Sequence, residues 1–163
     1  MSSPKAIEDL TFDDLEPGDR FDLGVCPVTR EDVLAFASRY DPQPQHLDDD
    51  GGVDNPLFDR LAASGWHTAS LMNKMVGPLF ERTRIRGLAG AGIEELRWLS
   101  PVYAGDSLEV ALEILSARPS RSNPDRGLIT MFVEARNGAK QLVTTYKLTG
   151  VFERSPRAPH SAI

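Results

Sequence analysis

SGWHTASLMNKMVGP, residues Ser64–Pro78, carries a helical pattern on which the architecture of the whole chain turns. Trp66, Ala69, Met72, Met75 and Val76 recur at helical spacing, which predicts a helix beginning near Ser64. The opposite face, with Thr68, Ser70 and Leu71, is only weakly polar, so this helix is expected to be buried on most sides. Gly77-Pro78 is its expected stop.

Beyond Gly87 the period changes to two. DSLEVALEIL puts Leu108, Val110, Leu112 and Ile114 on one face and Glu109 and Glu113 on the other. IEELRWL, LITMFVEAR and LVTTYKLTGVF read as further strands, and Asn137-Gly138 between the last two signals a hairpin. The run GLAGAG, Gly87–Gly92, has the wrong spacing for a dinucleotide loop, and its glycines are expected to let a strand pass close to a helix. Upstream, Arg20–Val28 reads as an early strand. Thr29 is an expected N-cap for a helix through Tyr40 that places Val33, Phe36, Ala37 and Tyr40 on one face, and Pro42 ends it. One buried helix followed by a mostly antiparallel sheet is an α+β pattern.

The 163 residues make one domain, expected over 1–153, with a mobile Pro-, Ser- and Arg-rich tail over 154–163. A net charge of −6 argues against a nucleic-acid partner, which needs a basic surface. No segment has the apolar length of a membrane span, so no membrane partner is expected and a cytoplasmic location fits. The single cysteine, Cys26, cannot form an internal disulfide. Arg82, Arg84, Arg86, Arg118, Arg121 and Arg126 are candidates for phosphate contacts or ordinary surface.

The chemistry is sought in YDPQPQHLDDDGG, Tyr40–Gly52. A carboxylate beside an imidazole can hold the ring's tautomer or share proton transfers with it. Asp41 and His46 could form such a pair, but five residues in polyproline-like extension span about 15 Å, so the loop must bend. Asp41 also follows a helix C-terminus, whose dipole is expected to push its pKa up. Asp-Pro is equally common as plain turn chemistry, and an isolated histidine is often only packed. His46-Leu47-Asp48 could alternatively be half of a metal site, with His67 or His160 as the third ligand, and Asp48–Asp50 read better as a solvated acidic loop than as a calcium site. At the helix start, free N–H groups near Gly65 could polarise a carbonyl oxygen; equally, Ser64 could merely cap the helix and Gly65 allow close packing.

DPQPQHLD, LAASGWHT and LRWLSPVYAGDSL occur together, in that order and spacing, and there the chain resembles the MaoC-like acyl dehydratases. These are hot-dog proteins related to (R)-specific enoyl-CoA hydratases, and the likeness runs from about Thr29 through Phe152. It implies an antiparallel sheet wrapped around a long central helix, a homodimer or higher homo-oligomer, and an acyl-CoA thioester bound near the subunit interface. No cofactor is implied beyond the coenzyme A of the substrate. The family's Gly-Asp-x-Asn-Pro-x-His loop carries the catalytic pair, matched here by Asp41 and His46. Its Ala-His-Gly-Met helix start offers a backbone N–H to the thioester carbonyl, which maps onto Gly65, with Ser64 and Trp66 beside it as substrate-binding positions. Tyr40, Gln43, Ser64 and Trp66 depart from the family residues, and Phe58-Asp59-Arg60 replaces a Phe-Gly-x turn. The resemblance implies reversible hydration of a 2-enoyl-CoA to a 3-hydroxyacyl-CoA. A hot-dog thioesterase and a non-catalytic acyl-CoA or acyl-carrier binding module are the alternatives.

Overall fold

A computed structural model describes residues 6–156. Five antiparallel strands form one sheet in the order β1-β3-β4-β5-β2: β1 Arg20–Pro27, β2 Gly87–Trp98, β3 Ser107–Pro119, β4 Arg126–Arg136 and β5 Leu142–Glu153. Two helices, α1 Arg30–Tyr40 and α2 Gly65–Glu81, lie between β1 and β2 in the chain. α2 packs on β1, β3 and β4, so the sheet curves around it.

The period-two pattern does what its spacing requires. Leu108, Val110, Leu112 and Ile114 are all buried, and the partners of the last three across the ladder, Ala135, Val133 and Met131 on β4, are buried on the same face. α2 buries residues on several sides, among them Thr68, Leu71, Met72, Val76, Leu79 and Phe80, as expected of a central rod. It does not stop at Gly77-Pro78: the helix runs through Pro78 to Glu81. An interior proline loses one backbone bond and costs about 3 kcal/mol. Here burial of Leu79 and Phe80, with Phe80 packed on Phe152 at 4.7 Å between ring centres, offsets that loss.

Thr29 caps α1, its hydroxyl accepting from the Asp32 N–H. Val33 and Ala37 are buried, but Tyr40 is 64% exposed, so the expected apolar face ends before it. The hairpin at Asn137-Gly138 forms, though as a longer loop with the bulge residue at Lys140, φ 65°, rather than at the glycine. The Asn137 Oδ1 accepts from the Ala139 and Gln141 N–H groups and holds that loop.

The expectation for GLAGAG is overturned. β2 is an edge strand, and at Gly90 and Gly92 a Cβ would meet nothing within 4 Å. A cleft, not a helix contact, lies beside these glycines. Of the expected C-terminal tail, Arg154 is anchored, its guanidinium reaching Asp13 and the Pro124 carbonyl. Residues 157–163, with His160, lie outside the described residues. No helix among the described residues is long and apolar enough to cross a membrane.

Candidate active site

The loop after α1 bends as the pairing of Asp41 with His46 requires. The Gln43 N–H donates to the Asp41 carbonyl at 2.8 Å, and Pro44–His46 closes a single 3₁₀ turn with the His46 N–H on the Gln43 carbonyl at 2.9 Å. Proline at the first position of that turn presets its backbone. The turn is fastened to the segment before α2: the Ala62 N–H donates to the Gln45 carbonyl, and the His46 Nδ1 lies 2.8 Å from the Ala62 carbonyl. Gly51 completes the fastening. At φ 78° it lies against residues 58–60, and a Cβ there would come within 2.8 Å of the Arg60 backbone.

A carbonyl oxygen only accepts, so Nδ1 carries the proton of the neutral His46 ring and Nε2 is left facing Asp41. The His46 Nε2 and Asp41 Oδ2 are 3.6 Å apart, too long for a direct bond and close enough to share one small reacting molecule. Both side chains are mostly buried.

Both oxygens of Asp41 are held. The Ser64 hydroxyl donates to Oδ2 at 2.6 Å and the Gln43 amide to Oδ1 at 2.7 Å. The Ser64 hydroxyl, the Gln43 amide and His46 hold the Asp41 pKa below its ordinary value, against the opposing effect of burial. This reverses the expectation from the helix dipole: short hydrogen bonds to the charged form outweigh a partial charge at the end of an 11-residue helix.

Ser64 does not line the cleft, contrary to its expected place against a substrate. It is buried, donates to Asp41 and accepts from the Trp66 N–H as the cap of α2. Gly65 and Trp66 do line it. The Gly65 N–H has no protein partner among the described residues. Gly65 is also required sterically, because a Cβ would come within 2.4 Å of the Trp98 indole. An open amide and close packing thus meet at the same glycine. Trp98 in turn meets Trp66 edge-on at 5.3 Å.

The cleft has a volume of about 600 Å³. Asp41, His46 and Gly65 open onto it, with Ala63, Thr68, Val102 and Thr144 as a buried floor and Leu57, Trp66, Trp98 and Leu99 as an exposed apolar rim. Trp98 and Thr144, paired across β2 and β5, carry no signal in the local sequence because the sheet alone brings them here. Gln43 and Ser64 were legible as departures from the family's loop and helix-start motifs, though not as the two arms that grip Asp41.

Among the described residues no three His, Cys, Asp or Glu side chains gather closely enough to hold a metal ion. The His67 ring is buried, stacked on Phe36 at 5.0 Å, and the Asp49 carboxylate faces Arg30 across the surface.

The sequence over residues 15–131 matches the MaoC like domain. The chain is 32% identical to a 3-hydroxybutyryl-CoA dehydratase of Methylorubrum extorquens over 114 residues, 69% of this chain and 68% of the relative. A crystal structure of a MaoC-like dehydratase from Rhodospirillum rubrum superposes with a TM-score of 0.78 at 36% identity, covering 90% of this chain and 99% of that one. A conserved hypothetical protein of Mycobacterium tuberculosis with a double hot-dog fold superposes at 0.71 with 19% identity, over 98% of this chain and 48% of its own, a likeness of fold alone. With its helix-wrapping antiparallel sheet and its match over most of the domain, the chain belongs to the MaoC-like dehydratase family of hot-dog proteins.

Proposed function

We propose that this protein hydrates a 2-enoyl-CoA thioester reversibly to a 3-hydroxyacyl-CoA. The observation that carries the proposal is the 3.6 Å approach of the Asp41 and His46 side chains in a cleft that also exposes the Gly65 N–H. In this reading the thioester oxygen accepts from the Gly65 N–H, backed by the positive end of the α2 dipole. A water molecule sits between Asp41 and Nε2 of His46.

Asp41, held as the anion, takes a proton from that water as its oxygen bonds to C3. The π electrons move toward the thioester oxygen, and the enolate that forms takes a proton at C2 from Nε2 of His46, which enters this step as the imidazolium with its Nδ1–H kept on the Ala62 carbonyl. Asp41 finishes protonated and His46 neutral, so dehydration runs through the same two groups in the opposite sense. Positioned acid–base groups contribute about 10²–10⁴-fold, and one oxyanion donor about 10²–10³-fold. No cofactor enters beyond the coenzyme A of the substrate.

The protein acts in this proposal as a homodimer or higher homo-oligomer. β2 leaves one ladder edge unpaired and presents exposed Leu88 and Ile93, a surface that a second copy would cover. Sedimentation at micromolar concentration tests that part; a monomer would remove it.

The activity is tested with crotonyl-CoA. Loss of the enoyl absorbance with the thioester intact is the expected result. Free coenzyme A released from a saturated acyl-CoA, with no hydration, would instead mark a thioesterase. Ligand-dependent melting with neither reaction would mark a binding module.

A further inference from the structure

Two clefts lie end to end along α2. The first is the site described above; the second, of about 830 Å³, lies between the C-terminal half of α2 and β2. Three elements line both. α2 gives Thr68 to the first and Val76 to the second, β5 gives Thr144 and Leu148, and β2 gives Trp98 and Ile93. On each element one inward residue lines neither cleft and falls in sequence between the residues that do: Met72, Tyr146 and Leu96. Met72 and Tyr146 have no exposed surface, and Leu96 is packed against the core.

Strand alternation puts Tyr146 on the same face of β5 as Thr144 and Leu148, toward the helix. Its hydroxyl has no partner among the described residues, so packing of the ring holds it in place. Burial pushes the phenol pKa up, which keeps the group neutral there.

We propose that Tyr146, with Met72 and Leu96, ends the acyl chamber and restricts the site to short-chain enoyl thioesters. This rests on the hydratase reading. With the thioester oxygen on the Gly65 N–H, Met72 lies seven residues along α2, about 10 Å away before side chains are counted. A crotonyl group ends short of the partition; an octenoyl group runs into it. The larger cleft behind the partition is apolar enough for an acyl tail, with Val76, Phe80, Met131, Leu148 and Phe152 on its walls, and in this proposal the buried Tyr146 ring keeps the tail out of it.

The test is kcat/KM for crotonyl-, hexenoyl-, octenoyl- and dodecenoyl-CoA in the wild type and in Tyr146→Phe, Tyr146→Ala and Leu96→Ala. The wild type is expected to favour crotonyl- over octenoyl-CoA by about tenfold or more. Tyr146→Phe keeps the ring and the preference, while both alanine variants raise the octenoyl-to-crotonyl ratio by about tenfold. A wild type that prefers octenoyl-CoA overturns the proposal, as does a Tyr146→Phe that shifts like the alanine variant. If Tyr146→Ala does not fold, the less buried Leu96→Ala decides, and an unchanged ratio there overturns it.

Melting of the wild type with saturated butyryl- and octanoyl-CoA reads the same limit without turnover. Butyryl-CoA is expected to stabilise more; equal or greater stabilisation by octanoyl-CoA overturns the partition. If no enoyl-CoA is hydrated while that melting difference persists, the hydratase reading falls and the partition stands.

Discussion

The two ends of α2 face the same strands across two clefts, yet they are built from different chemistry. At the N-terminal end Asp41, His46 and an open amide converge, and both side chains are fixed by second groups: Ser64 and Gln43 on Asp41, the Ala62 carbonyl on His46. Along the C-terminal half the cleft is larger, about 830 Å³, but its walls are mostly aliphatic, aromatic or glycine. Volume alone would point to the other end. What marks the site is convergence of polar groups whose positions are fixed by others.

That contrast breaks most directly at the acid–base pair. Asp41→Asn and His46→Ala are each expected to lower kcat/KM for crotonyl-CoA at least about a hundredfold, roughly 2.7 kcal/mol. Asn73→Ala, in the larger cleft, is expected to stay within about twofold. Near-normal turnover by either folded pair variant would remove the assignment.

Gly65→Ala sharpens the contrast at the amide. The added methyl must displace the Trp98 indole, now within 2.4 Å of that position. A loss of about tenfold to a hundredfold is expected. Trp98→Ala in the same chain should restore part of it, and additive losses in the double-mutant cycle would disprove the steric link.

Ser64→Ala removes the largest cause of the lowered Asp41 pKa. Asp41 should then protonate at higher pH, so the acid limb of the pH–rate profile moves up. The variant also loses the cap of α2, about 1 kcal/mol of stability. An unmoved acid limb would show that Asp41 ionisation does not govern the rate.

The smallest effect concerns His67, which supports the same helix end. Burial holds its pKa below 6.5, outweighing the opposing pull of Asp32. As pH falls below 6.5 the unfolded chain takes up a proton that the folded one refuses, so stability declines until the folded pKa is reached. Melting temperatures at about pH 7 and about pH 5 should differ less in His67→Phe than in the wild type. An equal difference would place the acid sensitivity elsewhere.

Much of this fold is local in origin and so could be anticipated. Alternation in β3, helical spacing in α2, the Thr29 cap and the bend demanded by two prolines are all properties of neighbouring residues. The missed features are non-local. Pro78 sits inside α2 because Phe80 meets Phe152 from the last strand, 72 positions away. Tyr40 turns to solvent where periodicity alone assigned it to the core.

The chain of residues singled out Asp41, His46 and Gly65 as candidates through its likeness to a known family; by spacing alone a plain turn, a packed histidine and a closely packed glycine read as well. It could not say that Ser64 would grip Asp41, that Trp98 would lie on Gly65, or that Tyr146 would stand between two clefts. Those relations join segments 23 to 74 positions apart, and close packing of the sheet around α2 sets them.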